Sequence, residues 1–171
     1  MMQHRMHMFY AKAKQYCSFI RDWIIDEHSA DELTSLLMEL YQYAKRLPAG
    51  KTPGFNKTGQ AIQNAQDISP NAKAIQVSPS LPYLYHFTEP FGPEAQREIS
   101  QQSLKADLGD ICDDLLPGIS LYESGEQAKA CCLWRSGWEI HWGTHAVNAL
   151  RVLHAWQTQT EYLKGLMEDL P

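Results

Sequence analysis

The chain has 171 residues, with 15 lysines and arginines against 20 aspartates and glutamates, so its formal net charge is −5. This length suits one domain, because two domains would each be small for a hydrophobic core of their own. The acidic balance argues against a nucleic-acid-binding protein, whose affinity comes largely from Lys and Arg contacts to phosphates. No stretch approaches the roughly 20 uncharged apolar residues of a membrane span, and residues 1–10 lack the apolar run of a signal peptide. We therefore expect a cytoplasmic protein with neither nucleic acid nor membrane as a partner.

Residues 6–47 predict a helical hairpin. Apolar residues recur at the spacing that buries one face of a first helix, at Phe9, Tyr16, Ile20 and Trp23. We expect this helix to run from Met6 to Glu27. Ser29, followed three residues later by Glu32, is a capping-box pattern that begins a second helix. The apolar face of the second helix carries Leu33, Leu36, Leu37, Leu40, Ala44 and Leu47.

Residues 48–93 form a long proline-rich loop that contains seven of the nine prolines. The aromatic run at 82–87 favours an extended strap packed across the helices. A loop of this length inside a small domain is often functional.

Residues 94–171 predict an acidic helix followed by a long helix rich in tryptophan and histidine. Helix resumes near Gln96, and its apolar face steps by four, three and four residues through Leu104, Leu108, Ile111 and Leu115. The pair Pro117 and Gly118 should kink or end this helix. The sequence as a whole therefore predicts an all-α fold, a single-domain bundle of about five helices over residues 1–171, with the long loop between the second and third helices.

The segment from 126 to 170 keeps a helical pattern of apolar residues throughout. We interpret it as one long helix with weak points for a bend at Gly137 and Gly143, or as a long helix followed by a separate last helix from Gln157.

The negative charge is concentrated in residues 94–125, where seven acidic residues oppose two basic ones. Asp107, Asp110 and Asp114 lie within about 60° of one another on the predicted helix, beside its apolar face. This flank is the candidate acidic half of a site.

The candidate second half is a stripe on the last helix, about 80° wide by helical geometry. It comprises Cys131, Trp134, Trp138, His141, His145, Val152 and Trp156. His141 and His145 are four residues apart, so their rings project side by side and can share a ligand. This is half of the HExxH zinc motif, but Trp142 stands where that motif has glutamate.

Three interpretations of this face remain open. The aspartates, histidines and the nearby Arg135 and Arg151 can form a structural polar layer of ion pairs between helices. Alternatively, the same residues with Trp134 and Trp138 can form a ligand-binding site. The third interpretation is a divalent metal held by His141, His145, Asp110 and Asp114, since facing helices hold metals with such side chains.

The second half of the chain, from Tyr83 to His154, also resembles a family of small bacterial proteins described only as a domain of unknown function. The resemblance rests on the runs Tyr85–Phe91 and Leu104–Ile111, and above all on the pattern HWGxHAxxALRxLH that begins at His141. It implies an all-helical fold and a soluble bacterial protein, and it implies no activity.

These observations favour a non-enzymatic binding or regulatory protein without a cofactor, whose partner is a protein or a small molecule. The alternative is a metal-dependent hydrolase that uses His141, His145 and aspartates of residues 107–114, with a metal-bound water as nucleophile. A homodimer formed through the exposed face of the 6–47 hairpin is a third hypothesis.

Overall fold

A computed structural model describes the backbone of residues 2–22, 24–48, 76–77, 84–87 and 100–168, and the side chains of residues 2–22, 25–26, 29–48 and 103–159. The described ranges contain five helices: α1 (Met2–Asp22), α2 (Glu27–Lys45), α3 (Leu104–Glu123), α4 (Gln127–Ile140) and α5 (Trp142–Glu168). They also contain four short strands: β1 (Ile24–Ile25), β2 (Gln76–Val77), β3 (Leu84–Phe87) and β4 (Ser100–Ser103). The prediction of an all-α fold with about five helices is confirmed.

The helices bury the apolar faces that their periodicity predicts. The buried residues of α2 and α3 include Leu33, Leu36, Leu37, Leu40, Ala44, Leu104, Leu108, Ile111 and Leu115, and Leu47, just after α2, is buried as well. Both α2 and α3 contact α4 and α5, and both also contact α1. Within the part of the chain that the structure describes, no helix is long and apolar enough to cross a membrane.

The amino end of α2 is fixed by reciprocal hydrogen bonds between Asp26 and Ser29. The backbone N–H of Ser29 donates to Asp26 Oδ1 at 3.0 Å, and the backbone N–H of Asp26 donates to Ser29 Oγ at 2.8 Å. This is a capping box in which Asp26 is the cap. The prediction that Ser29 begins the helix with Glu32 is therefore wrong, because an aspartate three residues earlier is an equally good cap.

Helix α1 ends at Asp22, five residues before the predicted end at Glu27. Ile24 and Ile25 instead pair in parallel with residues 76 and 77. Their β-branched side chains favour the extended conformation over the helix. Trp23, which the periodicity placed in the core, lies outside the described residues.

Strands β3 and β4 pair antiparallel, with Leu84 opposite Ser103 and Phe87 opposite Ser100. The extended conformation predicted within 82–87 is thus present at residues 84–87, and most of the 48–93 loop lies outside the described residues. Because β4 precedes it, α3 begins at Leu104 and not near Gln96. The cap is Ser103, whose Oγ accepts the backbone N–H of Ala106 at 3.0 Å.

Helix α3 continues through Pro117 and Gly118 to Glu123, so the predicted end of the helix at this pair is wrong. The indole of Trp134 packs on this turn, where its Nε1 donates to the carbonyl of Leu115 at 3.0 Å. A Cβ atom on Gly118 would lie 2.1 Å from Trp134 Nε1. Only glycine at position 118 therefore lets the indole approach the backbone of α3 this closely.

The predicted bend in the last segment lies at His141, between the two glycines expected to be weak points. His141 has φ −145° and ψ −85°, outside the helical region. Its backbone N–H donates to the carbonyl of Gly137, and its carbonyl accepts the N–H of Thr144. Beyond this corner α5 is continuous through Gln157 to Glu168, so the alternative of a separate last helix is wrong.

Two more tryptophans pack closely against glycines at this corner. A Cβ atom on Gly137 would lie 3.0 Å from Trp142 Cδ1, and one on Gly143 would lie 3.1 Å from Trp138 Cδ1. Trp142 is fully buried and donates its Nε1 hydrogen to the carbonyl of Trp134 at 3.3 Å. The bend therefore places a tryptophan in the core immediately after His141.

We expect Gly118→Ala to lower the free energy of unfolding by about 1–3 kcal/mol, the usual cost of overpacking a core. At an open position where alanine fits, the same change would stabilise the protein by about 0.4–1 kcal/mol. The sign of the change in the free energy of unfolding, measured by urea denaturation, therefore shows whether position 118 contacts Trp134. Ser120→Ala, at an exposed position of the same helix, is the control and should change stability by less than about 0.5 kcal/mol. A Gly118→Ala protein as stable as the wild type would contradict this packing.

Candidate functional site

Two histidines at the α4–α5 corner are hydrogen-bonded to two aspartates of α3. His141 Nδ1 lies 2.8 Å from Asp114 Oδ2, and His145 Nδ1 lies 2.8 Å from Asp107 Oδ1. The two imidazole rings meet edge to face, with their centroids 4.8 Å apart. The structure thus brings the predicted acidic flank of α3 against the predicted histidine pair.

Asp110 completes the cluster. Its Oδ2 lies 3.7 Å from His145 Nε2, too far for a hydrogen bond but close enough for a strong charge interaction. His145 therefore lies between two carboxylates, with one facing each ring nitrogen. We refer to Asp107, Asp110, Asp114, His141 and His145 as the Asp/His cluster.

The cluster extends from the core to the surface. The Asp107 side chain is 0 % exposed and that of His145 is 13 % exposed, whereas Asp114 is 30 % exposed. Asp110 and His141 are 44 % and 52 % exposed. One histidine–aspartate pair is thus held inside the protein, and the other is open to solvent.

The hydrogen bonds determine which ring nitrogen changes its protonation. An ionised carboxylate only accepts hydrogen bonds, so the Nδ1 atoms of His141 and His145 carry the shared hydrogens. The nitrogen of His145 that gains or loses a proton is then Nε2. For His145 this atom faces Asp110.

The environment of His145 favours its protonated form. The hydrogen bond to Asp107 raises the pKa of His145 above the ordinary value of 6.5, burial opposes this, and the charges of Asp110, Asp107 and Asp114 raise it further. A group whose pKa is raised by folding contributes stability that is complete below the unfolded-state pKa and lost as the pH rises through the folded-state pKa. The His145–Asp107 pair therefore stabilises the protein most at mildly acidic pH.

Asp114 also has a raised pKa, mainly because burial disfavours its charge, while its hydrogen bond to His141 opposes the shift. By the same rule, its contribution to stability is complete below the ordinary carboxyl pKa of 3.8 and declines as the pH rises through its own pKa.

Arg135, a predicted partner of the aspartates, has a different role. Its Nε donates to Glu139 at 2.7 Å, and its NH1 group donates to the carbonyls of Ala44 and Lys45 at the end of α2. These carbonyls have no partner within their own helix, so Arg135 caps α2. Among the described residues, its guanidinium binds these groups and no aspartate. The other predicted partner, Arg151, lies at an exposed position of α5.

The predicted tryptophans are divided between the core and the edge of the bundle. Trp134 is fully buried, so it packs the core and does not line an open site. Trp138 is half-buried against Tyr41, with the guanidinium of Arg135 4.7 Å above its ring. Its Nε1 atom is buried and has no hydrogen-bond partner among the described residues. Neither indole has a hydrogen bond to the Asp/His cluster in this part of the chain.

The core position of Trp142 was not predicted from sequence. This residue was noted only because it stands where the HExxH zinc motif has glutamate. A continuous helix would direct its side chain beside the stripe, and the break at His141 turns it into the core. The signal that could have revealed this is Gly137, five residues earlier, whose missing side chain leaves space for the indole.

The described residues give the metal hypothesis no support. Among them, no group of three or more His, Cys, Asp or Glu side chains is arranged to hold a metal ion. The Nδ1 atoms of both histidines are hydrogen-bonded to aspartates, so the Asp/His cluster as it stands contains two imidazole–carboxylate hydrogen bonds.

Comparison with known proteins places the chain in a family. The family model described as "Domain of unknown function (DUF5063)" matches residues 2–159. The chain belongs to this family. The match reaches well beyond the Tyr83–His154 region of the predicted resemblance and includes all residues of the Asp/His cluster. No curated protein and no solved structure matches the chain.

We expect Asp107→Asn to lower the pKa of His145, because it removes the charge on the strongest hydrogen-bond partner of that ring. Asp110→Asn should lower this pKa by less, since Asp110 acts only through its charge. Histidine resonances followed by NMR across the pH range measure both shifts, with the exposed His154 as an internal reference. An unchanged His145 pKa in Asp107→Asn would contradict the pairing.

Arg135→Met should lower the free energy of unfolding by about 1–2 kcal/mol, because the carbonyl of Lys45 loses its donor and that of Ala44 keeps only the N–H of Leu47, while the aliphatic packing is kept. Glu139→Gln is the matched control, since it removes the ion pair and leaves both carbonyls capped. Thermal and urea denaturation of the two variants measure the difference. If Glu139→Gln destabilised the protein as much as Arg135→Met, the ion pair and not the cap would be the stabilising contact.

Proposed function

We propose that this protein is a non-enzymatic binding protein of the bacterial cytoplasm and that its ligand site is the exposed side of the Asp/His cluster. The supporting observation is the gradient of burial across the cluster. Asp107 and His145 are anchored in the core, while Asp110, Asp114 and His141 present polar atoms to solvent. Binding sites commonly combine a few fixed polar groups with a rigid apolar support.

The ligand that this chemistry suits is a cationic group that donates hydrogen bonds. When its three carboxylates are ionised, the cluster carries a charge between −3 and −1, depending on the protonation of its two imidazoles. The carboxylate oxygens are acceptors, and amines and guanidinium groups are their strongest partners. The group is carried by a small molecule or by a lysine or arginine of a partner protein.

Binding is favoured over catalysis by the partners of the two histidines. A histidine that activates a nucleophile is hydrogen-bonded to the hydroxyl or thiol that attacks the substrate. Among the described residues, neither His141 nor His145 is hydrogen-bonded to a serine, threonine or cysteine.

The cytoplasmic part of the proposal is supported by the four cysteines. Cys17, Cys112 and Cys131 are buried free thiols, and Cys132 is a half-buried one. Burial raises the pKa of the Cys131 thiol to about 11. Such unreactive thiols are typical of proteins kept in a reducing compartment.

The test is an NMR titration with probes of opposite charge at equal ionic strength. We expect 1,5-diaminopentane and arginine methyl ester to shift the His141 and His145 resonances at millimolar concentration, and glutarate to leave them in place. Asp114→Asn removes an exposed charge from the cluster and should weaken binding of the cationic probes about tenfold, or about 1.4 kcal/mol.

His154→Gln is the control variant, because His154 lies at an exposed position further along α5. It should bind the cationic probes as the wild type does. Equal shifts with glutarate, or no shift with any probe, would refute the proposal. A rise in Tm with zinc or manganese that His141→Ala and His145→Ala abolish would replace it with the metal-dependent hydrolase hypothesis.

A further inference from the structure

The corner between α4 and α5 is attached to α3 by the same two histidines. His141 is the non-helical residue of the corner and bonds to Asp114, while His145 lies one turn into α5 and bonds to Asp107. Both aspartates belong to α3, so the polar connection between α3 and the first turn of α5 consists of imidazole–carboxylate pairs. The strength of such pairs depends on protonation.

We propose that the Asp/His cluster is a proton-sensitive latch, in which protonation of His145 at Nε2 holds the first turn of α5 on α3 and loss of that proton loosens it. The inference goes beyond the proposed function, since it concerns the protein without a ligand. It rests on the position of the cluster, which lies at the corner where α4 ends and α5 begins.

The proton position follows from the geometry. The Nδ1 hydrogen of His145 is directed to the buried carboxylate of Asp107, so protonation adds the second hydrogen at Nε2, 3.7 Å from Asp110. Protonated His145 therefore has a carboxylate at both nitrogens. After deprotonation, Asp107 keeps its hydrogen bond to His145, but its buried carboxylate loses the positive charge of that ring, which is costly for a buried charge.

Among the described residues, the charges that act on His145 are those of Asp110, Asp107 and Asp114, all on α3, and the ring of His141 lies beside it. The charge of Asp107 also acts on Tyr16 of α1. Complete burial raises the pKa of Tyr16 well above 10, so the Tyr16 side chain remains neutral. On α4, Arg135 and Glu139 are paired with each other, and on α2, Asp31 accepts a hydrogen bond from Gln157, three turns beyond His145.

The amino terminus of α5 opposes protonation of His145, whereas the aspartates of α3 favour it. The amino terminus of α5 carries a partial positive charge that disfavours protonated histidine in the first turn. The pKa of His145 is raised, because the hydrogen bond to Asp107 and the charges of three aspartates of α3 exceed the opposing effect of burial. The latch is thus closed at mildly acidic pH and released toward alkaline pH.

Native-state hydrogen exchange measured by NMR tests this in the ligand-free wild type, from about pH 5.5 to about pH 8.5, the range in which histidine titrates. After correction for intrinsic exchange, the opening constants of amides 142–148 should exceed those of the buried α2 residues Leu36 and Leu37, which exchange through global unfolding, and should rise with pH. The same samples give the pKa of His145. The rise should be tenfold for each unit by which that pKa exceeds about 6.5.

His145→Gln should abolish the pH dependence of opening at the corner, and His154→Gln should retain it. Asp110→Asn removes a half-exposed charge without touching the core and provides a second variant should His145→Gln fail to fold. It should move the midpoint of the rise to lower pH. Opening constants that do not change while His145 titrates would overturn the proposal. An unaltered pH profile in His145→Gln or in Asp110→Asn would overturn it as well. Because no ligand is present, these outcomes are independent of the binding test.

Discussion

The contact between the indole of Trp134 and the backbone of α3 determines how the rest of the structure is arranged. The indole lies directly on Gly118 and donates to the carbonyl of Leu115. This contact sets the distance between α3 and α4 at the turn that follows Asp114. His141 lies two turns beyond Trp134, so its hydrogen bond to Asp114 depends on that distance. A side chain at position 118 would separate the helices and with them the two halves of the Asp/His cluster.

The sequence predicted the parts of this arrangement that follow from helical periodicity. The apolar faces of α2 and α3, the shared flank of Asp107, Asp110 and Asp114, and the side-by-side histidines all depend on residue spacing within one helix. The pairing of each histidine with a particular aspartate was not predictable, because it depends on how far one helix is shifted along another. That shift is decided by the indole and glycine contacts of the core.

The errors made from sequence arise where two local signals compete. Asp26 and Ser29 are both good caps, and the spacing of Ser29 from Glu32 favoured the wrong one. Pro117 is a helix breaker by its own chemistry, yet α3 continues through it, with the indole of Trp134 packed on that turn. At Pro117 a tertiary contact accompanies the continued helix, whereas at Asp26 and Ser29 the reciprocal hydrogen bonds are local.

The parallel pairing of β1 with β2 has a consequence for the evolution of the loop. Residues 24–25 and 76–77 are adjacent in space, and Arg135 caps the end of α2 just before the loop begins. The two ends of the segment between Leu47 and Gln76 are therefore fixed by contacts of residues outside it. Between fixed ends, doubling the length of a connection costs only about 0.6 kcal/mol of closure entropy. Insertions and deletions can accumulate there without altering the helices, so homologues should differ in length at this segment first.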